Sequence, residues 1–197
     1  SGMSRGLGDV YKRQQSFCLM STFPNLKKFS HLSATFFGVG LLPFAPGTWG
    51  SFVALILFFG FIYFQVSFFT FFFIFLLFSL ASIVICEIAS KDLLERDHKA
   101  IVIDEVAGAW LSFLFIPTLG IYNFSTSEWQ KESYLAAMII FVLFRFFDIL
   151  KPHPISMIDK KFKSGFGIVL DDLVAGVFAG LTLLLSLIHI SEPTRHS

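Results

Sequence analysis

Charge is what this chain has least of. Lys, Arg, Asp and Glu make up 15% of its 197 residues, while 55% are hydrophobic and 28 are phenylalanine; a soluble domain carries roughly 25% charged residues. So few charges cannot coat a water-facing surface, which excludes an ordinary soluble domain and turns much of the apolar surface toward lipid. The net charge of +1 leaves no electrostatic footprint for a polyanion, so no nucleic acid partner is expected. Cys18 and Cys86 are the only cysteines, too few for a disulfide framework. No histidine or cysteine pair stands at ligand spacing, which argues against a zinc site. The first residues also lack the basic, apolar, small-residue order of a secretory signal peptide.

The two ends share no pattern with the rest. Residues 1–20 and 188–197 read as non-native or disordered tails, with Met20 a plausible native start and a single domain over 21–187. Ser21–His31 is polar and basic, an expected interfacial helix or arm. Five Gly or Pro fall between Gly40 and Gly50, so irregular backbone is expected there. Apolar segments then follow at Ser51–Phe64, Val66–Cys86, Ile101–Leu119, Tyr134–Leu150 and from Leu170 to Leu187. Val66–Cys86 is the clearest transmembrane helix, whereas the first and last are short enough to be buried bundle helices. The expectation is an all-α fold, a membrane-embedded helical bundle with about five apolar helices.

Charged residues enter this apolar pattern at a few places. Asp104 and Glu105 open the third segment, and Asp171 and Asp172 open the fifth. Arg145, Asp148 and Lys151 end the fourth, spaced so that on a helix they share one face. Lysines and arginines collect before the first segment, between the second and third, and between the fourth and fifth; Gln65 and a single Lys131 beside two glutamates mark the other connections. The positive-inside rule puts the basic loops in the cytoplasm. Alternating five helices from there brings the Gly/Pro-rich turn and all three charged sets to one cytoplasmic face.

That convergence suggests a chemistry. Five carboxylates, Asp104, Glu105, Asp148, Asp171 and Asp172, crowd together only if a cation holds them, and an oxygen-only set favours Mg²⁺ over Zn²⁺. Arg145 and Lys151 suit an anion, Arg in particular the forked geometry of phosphate. The turn before the first helix can add backbone N–H groups and the hydroxyls of Thr48 and Ser51. Together they suggest metal-assisted phosphoryl chemistry on a lipid headgroup. Each set alone has a plainer reading: acidic residues in a first helical turn answer the macrodipole, and Arg145–Asp148–Lys151 forms a salt-bridge ladder. His98 and His153 read as solvated loop residues, and the Phe68–Phe78 cluster as lipid-facing bulk. A small transporter or channel subunit would spread its charges through membrane depth, and a scaffold would use them only as structural ion pairs.

Four blocks carry a resemblance. Gly38-Val-Gly-Leu-Leu-Pro-Phe-Ala-Pro-Gly-Thr-Trp-Gly-Ser51, Asp97-His98 with Ile103-Asp-Glu105, Phe144-Arg-Phe-Phe-Asp148 with Lys151-Pro-His-Pro-Ile155, and Gly165-Phe-Gly-Ile-Val-Leu-Asp-Asp-Leu-Val-Ala-Gly176 resemble the signature blocks of the phosphatidylglycerophosphatase A family, in order, over roughly His31 to Leu185. The resemblance implies an all-helical membrane enzyme of the bacterial inner membrane. It also implies Mg²⁺-dependent hydrolysis of phosphatidylglycerophosphate to phosphatidylglycerol and phosphate. Carried onto this chain, it makes Asp104, Glu105, Asp171 and Asp172 the metal-holding and catalytic carboxylates. Arg145 and Lys151 bind the phosphomonoester, Thr48 and Ser51 contact it, and Asp148 either orients Arg145 or joins the metal shell. Water is the expected nucleophile with one carboxylate as base; a covalent aspartyl-phosphate is the alternative.

Overall fold

The computed structural model describes residues 24–91, 98–123, 128–153, 157 and 164–191, the last five by backbone alone. Residues 1–23 and 192–197, Asp97, Ile155 and the lysines of 160–163 lie outside the described residues, whereas 188–191, expected in the C-terminal tail, continue the last helix. The elements are α1 (Phe29–Ala34), α2 (Pro46–Tyr63), α3 (Phe68–Ser90), α4 (Ile103–Phe113), a two-stranded antiparallel hairpin of β1 (Tyr122–Asn123) and β2 (Glu128–Trp129), α5 (Glu132–Leu150) and α6 (Gly165–Ser191). Short 3₁₀ turns stand at Val39–Leu41 and Ile116–Leu119.

Four helices, α2, α3, α5 and α6, are long and apolar enough to cross a membrane. The third apolar segment is not a span. Its helix, α4, has 11 residues, about 16 Å at the α-helical rise, and gives way to the 3₁₀ turn at Pro117. Nearly all of α4 is buried, because it packs against α2, α3, α5 and α6 at once. The bundle is therefore four membrane-length helices around a short central one. The chain still runs from one end of the bundle to the other along α4, the 3₁₀ turn and the hairpin, so the expected alternation of ends survives.

The far end is closed by polar bonds that the segment boundaries do not announce. Trp129 Nε1–H donates to the Val66 carbonyl at 2.7 Å, and its backbone N–H donates to Gln65 Oε1 at 2.8 Å. The Tyr122 hydroxyl accepts the Phe68 N–H at 2.9 Å, satisfying an amide at the start of α3. The described parts of the expected polar loop, 120–123 and 128–133, thus pack against the α2–α3 connection and bury the rings of Tyr122 and Trp129.

Aromatic rings fill the centre. Phe58 of α2 stacks on Phe113 of α4 with centroids 4.6 Å apart, and Phe71 of α3 joins them against Trp110. The Phe68–Phe78 cluster is accordingly divided: Phe71 and Phe75 face this core, while Phe69, Phe72 and Phe73 face outward. Where α4 meets α6 there is no room for side chains. A Cβ on Gly108 would stand 2.6 Å from the Asp172 carbonyl oxygen and 2.8 Å from Phe144 Cε2, and Gly176 lies against the Gly108 carbonyl. Two glycines thus let the backbones of the acidic helices touch.

Two boundaries differ from expectation. α2 begins at Pro46, because proline suits the first helical position, so Gly47–Gly50 are helical rather than irregular. α6 begins at Gly165, which places Asp171 and Asp172 nearly two turns inside it rather than at its start. His31, expected in a polar arm, is fully buried and accepts the Asn25 N–H at Nδ1.

Candidate active site

The site is built on the start of α2. Phe44 and Ala45 both hold left-handed backbone, with φ of 64° and 49°, a conformation that costs a non-glycine residue about 1–2 kcal/mol. This strained corner lets Pro46 open the helix directly beneath α4. Gly47 and Gly50 then leave a bare strip on α2, and the Glu105 carboxyl lies in it. A Cβ on Gly47 would overlap Glu105 Oε1 and stand 3.3 Å from Arg145 Nη2; one on Gly50 would stand 3.3 Å from Glu105 Oε2. The glycines expected as turn residues are instead the space that admits a carboxylate to a helix N-terminus, where the macrodipole favours it.

Arg145 ties the next helix to this strip. Its Nη1 donates to Ser51 Oγ at 3.2 Å and to Asp148 Oδ2 at 2.6 Å. Ser51 in turn donates to the Gly47 carbonyl at 2.9 Å. Arg145 is largely buried, and its Nε has no hydrogen-bond partner among the described residues. Asp148 thus pairs with the guanidinium from one turn along the same helix.

Lys151 does not extend the ladder. α5 ends at Leu150, Lys151 takes left-handed backbone at φ 40°, and Pro152 prevents continuation. Its Nζ leaves the Arg145–Asp148 face and reaches Asp171 Oδ2 on α6 at 2.5 Å, an inter-helix pair.

Asp104, Asp171 and Asp172 are buried. Asp104 Oδ1 accepts the Glu105 N–H at 3.0 Å. Asp172 sits within electrostatic reach of Asp148, Asp104, Asp171 and Glu105 and makes no ion pair among the described residues. Five carboxylates from three helices therefore share one end of the bundle with the cations Arg145 and Lys151. Thr48 stands half-buried in the first turn of α2, and its hydroxyl makes no hydrogen bond among the described residues. Neither the Arg145 bonds nor the Lys151 pair reaches it among the described residues.

The donor chemistry suits a hard divalent cation, since every carboxyl contributes oxygen and the negative charge exceeds the positive. Among the described residues, no three His, Cys, Asp or Glu side chains form a ready-made ligand cage. Mg²⁺ does not require one, because it keeps several waters and is held by one or two carboxylates together with substrate phosphate. The residues present fit such an ion.

One participant escaped the reading of the sequence. Glu87, in the last turns of α3, accepts the Gly165 N–H at Oε2 at 2.6 Å. No local signal links residues so far apart in the chain.

The chain matches the family model for phosphatidylglycerophosphatase A over residues 32–187. It is 42% identical over 162 residues to a Haemophilus influenzae phosphatidylglycerophosphatase A, covering 78% of this chain and 89% of the relative. An Escherichia coli phosphatidylglycerophosphatase A is 34% identical, covering 76% and 78%. A Bacteroides thetaiotaomicron protein named as a candidate phosphatidylinositol-3-phosphatase is 31% identical, covering 79% and 91%. No solved structure matches the chain. By this match and these identities the chain belongs to the phosphatidylglycerophosphatase A family of phosphatases.

Proposed function

We propose that this phosphatase releases phosphate from phosphatidylglycerophosphate, leaving phosphatidylglycerol, with Mg²⁺ and at the cytoplasmic face of a bacterial inner membrane. The substrate follows the names of the two relatives at 42% and 34% identity. The observation that carries the chemistry is the gathering of Arg145, Ser51 and five carboxylates at one end of the membrane-length helices. A charge distribution confined to one end suits reaction at the lipid headgroup; conduction would need charges through the membrane depth. Lys27, Lys28, Lys91, Lys99 and Lys151 flank that same end, which supports a cytoplasmic orientation.

In this reading Arg145, held by Asp148 and by the Ser51 hydroxyl, grips the phosphomonoester at the start of α2. Asp104, Glu105, Asp171 and Asp172 would hold Mg²⁺ directly or through water, and the ion would supply positive charge at the phosphoryl oxygens and acidify nearby water. Water adds to phosphorus as the bond to the glycerol oxygen breaks. One carboxylate of the set takes the water proton, and the departing glycerol oxygen takes one from solvent water, to which the carboxylate then returns its own. Lys151 pairs with Asp171 and holds its carboxyl in place.

The test is phosphate release by the purified full chain from phosphatidylglycerophosphate, with Mg²⁺ and with EDTA. Turnover should require the ion, and Asp104→Asn and Arg145→Ala should abolish it while membrane insertion persists. Normal hydrolysis by both variants would show that the site lies elsewhere.

A further inference from the structure

The helix that carries Asp171 and Asp172 is held at two points along one face. Gly165, Val169, Asp172 and Gly176 recur at helical spacing along it. At the second point the Asp172 carbonyl and Gly176 press on Gly108 of α4. At the first, Gly165 lies so close to α3 that a Cβ would stand 2.6 Å from the Glu87 Cα and 2.7 Å from its Cβ. There the Glu87 carboxylate accepts the first helical N–H at 2.6 Å, while the Ser164 hydroxyl takes the Gly167 N–H at 3.3 Å as a local cap. Between the two points Val169 is buried with Cys86 and Ala89 of α3.

A helix start leaves its first amides without intrahelical acceptors. Local capping by Ser164 would serve any helix, but Glu87 comes from a different one. Its bond is charge-assisted, so it is short and directional, and the macrodipole at the start of α6 adds to it. The contact fixes α6 in rotation and depth two turns before Asp172, on the same face. We infer that Glu87 is a positioning residue for the reaction: by anchoring the Gly165 amide it sets where Asp171 and Asp172 stand relative to Asp104 and Glu105. The consequence for turnover rests on the function proposed above; the anchor itself does not.

The test compares Glu87→Ala, Glu87→Gln and Val84→Ala, an exposed control on the same helix, in full-length protein in detergent. Hydrogen exchange is read at 165–168 and at 47–51, with kcat, KM and the Mg²⁺ concentration for half activation. In Glu87→Ala, exchange at 165–168 should quicken by ~10-fold or more, the loss of one charge-assisted bond, with 47–51 unchanged. Its kcat should fall and its Mg²⁺ requirement rise, while KM for the lipid stays within about 2-fold, because Arg145 and Ser51 sit on other helices. Glu87→Gln, which keeps an acceptor oxygen, should restore most of both, and Val84→Ala should match the parent protein. If Glu87→Ala does not accumulate, Glu87→Asp, one methylene shorter, takes its place. Parent-like exchange at 165–168, or quickened exchange with kcat and Mg²⁺ requirement intact, overturns the inference, as does a uniform rise in exchange along the chain. A parent protein that releases no phosphate would defeat the proposed function, and the exchange data would still decide the anchor.

Discussion

Arg145 Nη1 donates to Ser51 Oγ on α2 and to Asp148 Oδ2 on its own helix, at 3.2 and 2.6 Å, so one guanidinium nitrogen joins the helix start to the acidic cluster. Its Nε is buried and has no hydrogen-bond partner among the described residues, and Nη2 lies beside the Gly47 strip that holds Glu105.

Lysine cannot replace that geometry. Arg145→Lys keeps the charge but loses the planar fork, so it should bond either Asp148 or a phosphate oxygen and not both. The expected result is a fall in kcat/KM of ~100-fold or more, about 3 kcal/mol of transition-state stabilisation, with unchanged yield of inserted protein. Phosphate-release kinetics on purified Arg145→Lys check this.

Asp172 predicts a trade between activity and stability. Four neighbouring carboxylates repel it, and among the described residues it makes no ion pair. Asp172→Asn should therefore raise Tm in EDTA while abolishing turnover. Added Mg²⁺ should raise the Tm of the parent protein by more than that of the variant, since a bound cation offsets repulsion that the variant no longer has. Thermal melts in detergent, with EDTA and with Mg²⁺, decide it; an unchanged or lower Tm in EDTA would count against a repulsive cluster.

Gly108 tests the close approach of α4 and α6. Its replacement by alanine puts a methyl group 2.6 Å from the Asp172 carbonyl oxygen, and overpacking of this kind costs about 1–3 kcal/mol. Gly108→Ala should lower Tm and, because Asp104 lies one turn away on the same helix, also lower kcat. Gly60→Ala, where a Cβ meets nothing within 4 Å, should leave both in place.

The far end of the bundle should be separable from chemistry. Trp129→Phe removes the Nε1–H bond to the partly buried Val66 carbonyl, a loss of about 1 kcal/mol. Its Tm should fall while kcat and KM per folded molecule match the parent protein. A selective loss of kcat would mean that the two ends are coupled through α4.

Much of this arrangement was legible in the order of residues. Sparse charge and long apolar runs dictate a lipid-embedded helical bundle, because such composition cannot be solvated in water. The spacing of basic connections dictates which ends share a side, and so brings Asp104, Glu105, Arg145, Asp148, Asp171 and Asp172 to one end. These are properties of chain segments taken singly and in alternation. Tertiary packing decided the rest. Whether an apolar run spans or lies at the centre depends on its neighbours, and α4 is too short and too enclosed to meet lipid. Lys151 turned away from the Arg145 face because a left-handed residue before Pro152 redirects its side chain toward Asp171. The glycines of α2 proved to be room for Glu105, and the Gly165 amide found its acceptor on Glu87. Each of these is a contact between segments far apart in sequence, set by how closely two backbones approach, and no local pattern records that distance.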